Sequence, residues 1–87
     1  MIEVTKQSDE TYSVTVSGKR TTQHQVTLTN DYYQKLTGGK VSPETLIERS
    51  FEFLLEREPN TSILGQFELP VINRYFPEYE REIGRRL

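Results

Sequence analysis

His24 is the single histidine of the chain, and imidazole is the side chain best matched to proton transfer near neutral pH. It alternates with Val26 and Leu28 in "HQVTL". That spacing predicts a position on the apolar side of a strand, as a core or sheet-edge histidine rather than a general base. No second histidine exists to share a metal, and with no cysteine there is neither a thiol nucleophile nor a Cys zinc cluster. Carboxylates remain as candidate metal ligands. Glu48, Glu52 and Glu56 recur every fourth residue and so share one helix face, but that face reads as the solvated one. Ser42 and Ser50 have no visible base and orienting partner. Gly38 and Gly39 lack the flanking pattern of a phosphate loop and read as a helix end followed by a turn. No catalytic residue, no metal ligand and no cofactor is expected, and the chain is expected not to be an enzyme.

The aromatic residues form a second group. Tyr32, Tyr33, Phe51, Phe53, Phe67, Tyr75, Phe76 and Tyr79 all follow residue 30. A base-stacking platform would set such rings beside Lys and Arg on an open sheet face. Here they fall mostly on helical stripes beside Leu and Ile, the pattern of core packing. A helix as apolar as 46–55 can exceed what one small domain covers, so Phe51, Phe53, Leu54, Tyr75 and Tyr79 are candidate interface residues. A protein partner or self-association is the expectation they carry.

Three period-two segments precede these helices, over about residues 2–29: Ile2 and Val4; Tyr12, Val14 and Val16; His24, Val26 and Leu28. "KQSDET" and "SGKRTT" separate them, and Gly18 suits a turn. Helices are expected at about 31–37, 43–58 and 71–86. Thr29 or Asn30 caps the first and Gly38 ends it. Ser42 caps the second, Pro43 takes its first position and Glu44 complements its positive end. Leu46, Ile47, Ser50, Phe51, Leu54 and Leu55 form its apolar stripe, and Pro59 stops it at Glu58. Ser62 starts a turn through Ile63 and Leu64, and Pro70 starts a further helix. In that last helix Tyr75, Phe76, Tyr79, Ile83 and Leu87 keep helical spacing across Pro77, which kinks or breaks it. The expected architecture is α+β, one domain over 1–87. An N-terminal three-stranded antiparallel sheet is followed by three or four helices packed on one face.

Bulk properties narrow the function. The formal charge of −2 gives no general attraction to nucleic acid or to an anionic membrane. Residues 30–60 carry six acids against four bases, so the main helix lies in the acidic part. No apolar run is long enough for a membrane span or a signal peptide. The absence of cysteine suits a reducing cytoplasm.

Residues 25–57 also resemble the ribbon-helix-helix family of small dimeric repressors and antitoxins. "QVTLT" resembles its ribbon, "NDYYQKL" its first helix, and "SPETLIERSFEFLLER" its second helix after a Gly-containing turn. The resemblance implies a ribbon shared between two chains that enters the major groove. Gln23, Gln25 and Thr27 would then read bases, and the helix start at Ser42 would hold phosphate. "SFEFLLEREPNTSIL" and "RYFPEYEREI" are similar to phrases of a small bacterial protein type, which implies no activity. The expected function is a non-enzymatic interaction or regulatory module, with self-association among the expectations. The alternative is the DNA-binding regulator or antitoxin that the resemblance implies.

Overall fold

The computed structural model describes residues 1–87 and is α+β. Three antiparallel strands come first: β1 (Ile2–Lys6), β2 (Thr11–Val16) and β3 (Thr22–Thr27). The helices α1 (Asn30–Thr37) and α2 (Pro43–Leu55) follow, then a 3-10 turn at Asn60–Ser62. A fourth strand, β4 (Gln66–Glu68), precedes α3 (Val71–Tyr75) and α4 (Tyr79–Arg86). No helix is long and apolar enough to cross a membrane.

The sheet departs from the three-stranded antiparallel expectation. Its order is β1-β2-β3-β4, and β4 runs parallel to β3, with Val26 opposite Phe67. A parallel neighbour needs a crossover of a dozen or more residues, and the segment holding α1 and α2 supplies it.

Alternation decides which strand residues enter the core. Tyr12, Val14, Val16, His24, Val26 and Leu28 are buried. Their neighbours Gln23 and Gln25, with Gln66 and Glu68 on β4, are exposed. Against the apolar side pack Leu46, Ile47, Phe51, Phe53 and Leu54 of α2, with Ile72, Tyr79 and Ile83 behind them, in one cluster.

The helix limits follow local chemistry. Thr29 Oγ1 accepts the Tyr32 amide at 3.2 Å, and Gly38 closes α1 in the left-handed conformation at φ 62°. Ser42 Oγ accepts the Thr45 amide at 3.1 Å, and Pro43 occupies the first turn of α2. The helix ends at Leu55 rather than Glu58. Its last turn tightens as the Arg57 amide donates to Leu54 O at 2.9 Å. Pro77 forces Phe76 out of the helical region, to φ −131° and ψ 86°, which separates α3 from α4.

Buried polar groups are paired. Ser50 Oγ donates to Leu46 O at 2.7 Å, which commits its single hydrogen. The Tyr79 hydroxyl, 2.6 Å away, must therefore donate to Ser50. Burial pushes the Tyr79 phenol well above its ordinary range. Burial, then the hydrogen bond to Glu80 at 2.9 Å, does the same for Tyr32.

The C-terminal helix is clasped to α2 by charge. Arg86 forms a two-pronged pair with Glu56 at 2.9 and 2.7 Å. Arg57 lies 3.6 Å above the Phe53 ring and reaches Glu78 at 3.2 Å. Glu56, the last of the three evenly spaced acids of the helix, is thus a tether and not merely solvated. The Arg86 guanidinium holds Glu56 below the usual carboxylate range. Glu78 is also lowered, first by its own backbone amide and then by Arg57. Groups lowered in the folded state stabilise it above their unfolded pKa, and that contribution disappears as pH falls through the lowered folded value. Urea unfolding midpoints should therefore drop as pH falls below about 4.3, the ordinary glutamate value. In Glu56→Gln that drop should be smaller.

Candidate functional site

The large apolar side chains left open to solvent, terminal residues aside, are Tyr75 at 66% and Leu64 at 46%. They face the same cleft. Its inner part is lined by Leu54, Ile63, Phe67, Val71, Ile72 and Phe76 together with these two, and Glu58 is the one charged group on its rim. The inner cleft leaves about 30 Å³ of free space. Sites for small molecules run from about 300 to 1,000 Å³, so this recess can seat the end of one side chain but not a cofactor. Outward it opens onto a broad groove whose polar members are Thr27, Gln66, Glu68 and Arg74.

Three elements build the cleft. The 3-10 turn ends in "SILG", where Ile63 is buried and Leu64 is turned out. Phe67 points inward from β4, near Phe51 at a centroid distance of 6.1 Å. The chain then reverses at Leu69-Pro70, and α3 returns along the other side with Val71 and Tyr75. Leu64 is held from below by His24, whose Nδ1 lies 2.8 Å from Leu64 O. A carbonyl only accepts, so Nδ1 carries the hydrogen. Nε2 lies 2.8 Å from Thr22 Oγ1, and Asn60 Nδ2 donates to that same oxygen at 2.9 Å. The histidine, packed against Phe51 and 4% exposed, is thereby a strut beneath the cleft wall.

The groove also borders an open strand edge. The Gln25 amide donates to Gly65 O and the Leu69 amide donates to Thr27 O, both within β3–β4 pairing. Alternation along a parallel strand then turns the backbone N–H and C=O of Gln66 and Glu68 away from β3. β4 is the last strand of the sheet, so these groups face the groove side without a strand partner. Burial raises the Glu58 carboxyl above its ordinary value.

The candidate interface residues separate on the structure. Phe51, Phe53, Leu54 and Tyr79 are buried within their own chain and are core, with Leu54 also flooring the cleft. Tyr75 alone is open. The sequence reading missed Leu64, Phe67, Val71, Glu58 and Arg74. Only Phe67 had a signal, the alternation of "QFE" between Gly65 and Pro70, too short to mark a strand.

The residues implied by the ribbon-helix-helix resemblance also scatter. Gln23 and Gln25 are exposed and Thr27 is half-buried. Their strand, however, is bonded on both edges within the chain, to β2 and to β4. A ribbon shared between two chains has no free edge there. Ser42 is engaged in capping its own helix, with Glu44 in the same first turn. No group of three His, Cys, Asp or Glu side chains stands close enough to hold a metal ion.

Comparison with protein-family models, with curated proteins and with solved structures finds no match.

Proposed function

We propose that this protein is a non-enzymatic interaction module that captures an extended segment of a partner protein beside β4. An apolar side chain of that segment fills the cleft between Leu64 and Tyr75. The observation that carries the reading is the coincidence of the two most exposed internal apolar side chains with an unpaired strand edge. Adding a strand supplies main-chain hydrogen bonds, and a pocket beside the edge selects a side chain. An aromatic ring over a preformed apolar recess is also the usual composition of a binding anchor. A second copy of the chain is one partner able to supply such a segment, and the mass in solution distinguishes it.

The carboxyl of Glu58 gives this reading a pH signature. An apolar side chain seated in the cleft removes more water from Glu58, which favours its neutral form. Its pKa is then higher in the complex than in the free protein, so binding takes up a proton. Affinity should rise as pH is lowered through the titration of Glu58, and Glu58→Gln should bind with little pH dependence.

The experiment is an NMR titration with an end-blocked peptide of alternating threonine and valine carrying one central leucine. The expected result is shifted signals from Leu64, Phe67, Val71 and Tyr75 that sharpen in affinity toward acid pH. A peptide with aspartate for leucine should not produce them. Shifts confined to other surfaces, or equal binding of the aspartate peptide, would overturn the reading.

A further inference from the structure

The opposite edge of the sheet is open too, and it is surrounded by different chemistry. The Met1 ammonium donates to Ser17 O and the Ser17 amide donates to Met1 O. At the other end of the ladder the Gln7 amide donates to Thr11 O. The intervening register is regular, Ile2 opposite Val16 through Lys6 opposite Tyr12. In an antiparallel ladder the bonded pairs alternate, so the odd residues of β1 face β2. The N–H and C=O of Ile2, Val4 and Lys6 therefore point out from the edge. Ile2 and Val4 are only half-buried, although they point to the core side of the sheet.

Helix α2 overhangs this edge, since β1 is the strand it lies closest to. A shallow recess beside Val4 is lined by Glu44, Thr45 and Glu48. Pro43 stands at the Lys6 end of the strand, so α2 runs from the Lys6 end toward the Ile2 end. Glu44 and Glu48 are separated by about 6 Å along the helix axis. Alternate residues of a strand are separated by about 6.6–6.8 Å. A strand laid along β1 thus presents successive inward side chains at nearly the spacing of these two carboxylates. Arg49 is shared between Glu48 at 3.3 Å and Glu52 at 3.2 Å, so those two acids together keep one uncompensated negative charge, and Glu44 has no ion-pair partner.

We infer that β1 receives an extended partner segment carrying basic side chains at alternate positions, which meet Glu44 and Glu48. A second copy of the chain is a poorer occupant. Strands pair about 4.8 Å apart, whereas packed helices need about 8–10 Å between axes. Two copies joined through β1 would press one overhanging α2 against the other, acidic face to acidic face. An isolated strand carries no such helix, and lysine or arginine on it complements the charge.

The test uses the whole chain and an end-blocked fluorescent peptide of alternating lysine and threonine, at low salt. Polarisation should show binding that weakens as salt is added, and the amides of Ile2, Val4 and Lys6 should shift. The outward amide of Val4 makes no bond to β2, so Val4→Pro removes it at an edge position where proline is tolerated. That variant should weaken the peptide about tenfold or more, the size of one or two lost hydrogen bonds. The double variant Glu44→Gln, Glu48→Gln keeps the strand intact and should weaken binding by about fivefold to tenfold, as two exposed ion pairs allow. Leu64→Ser with Tyr75→Ser, which disables the cleft at the other edge, should leave this binding unchanged. Absence of binding at low salt, equal binding of a glutamate-threonine peptide, or unchanged affinity in both β1 and α2 variants would overturn the inference. A rise in mass without peptide, lost in Val4→Pro, would replace the basic segment with a second copy.

Discussion

Phe51→Ala combined with Leu54→Ala should leave the chain without a cooperative unfolding transition at 25 °C. Both side chains are buried, Phe51 completely and Leu54 except where it floors the cleft. Phe51 packs between His24, at a centroid distance of 5.4 Å, and Phe67, at 6.1 Å, so its ring joins β3, β4 and α2. Leu54 extends the same stripe under the cleft. Truncating a buried phenylalanine costs about 3–5 kcal/mol and a buried leucine about 2–5 kcal/mol. A domain of this length has roughly 4–13 kcal/mol in total. The pair shares neighbours, so the two costs need not add, yet their sum of about 5–10 kcal/mol spans most of that range. The measurement is far-UV circular dichroism through a urea titration. A normal transition with an altered mass in solution would mean that these residues serve an interface after all.

The same two residues show what could be read from sequence. Of the stripe Leu46, Ile47, Ser50, Phe51, Leu54 and Leu55, all but the half-buried Leu55 are buried, and Ser42 and Pro43 start the helix where their chemistry says they must. Period two placed Tyr12, Val14, Val16, His24, Val26 and Leu28 inward. These signals are local, repeated and mutually consistent. β4 gave no comparable signal, because three residues cannot establish a period and its hydrogen bonds are all made to a strand far back in the chain. Its parallel pairing converts β3 from an edge into an interior strand. That single change leaves β3 no free edge and makes β4 the edge strand on that side of the sheet.

The cleft was illegible for a related reason. Leu64 and Tyr75 stand in different elements, and only the reversal at Pro70 brings them together. The sequence groups Tyr75 with Phe51, Phe53, Leu54 and Tyr79 as candidate interface residues on helical stripes. Spacing cannot say which member of such a group a small core leaves uncovered. The break at Phe76 decides it, since α3 turns Tyr75 outward while α4 carries Tyr79 to the hydroxyl of Ser50.

Removing the cleft anchors should affect binding far more than stability. Leu64 and Tyr75 are largely exposed, so their truncation to serine gives up little buried area. Surface substitutions of this kind are usually within about 0.5 kcal/mol. A binding anchor is different: truncating one costs about 2 kcal/mol or more of affinity, so losing two should reduce affinity by about a thousandfold. Unfolding midpoints near wild type, with binding at β4 abolished, are the expected pair of results. His24→Ala offers a graded version, because it leaves the Leu64 carbonyl without its buried donor and loosens the wall without removing it.

The most direct measurement is selection of extended peptides from a displayed random library on the immobilised protein, followed by affinities of the winners for wild type and for Leu64→Ser, Tyr75→Ser. The account predicts sequences with one apolar side chain at a fixed place in an alternating strand, protection of the Gln66 and Glu68 amides from exchange, and loss of binding to the double variant. Winners that bind the double variant as tightly as wild type, or a selection that enriches nothing, would contradict it.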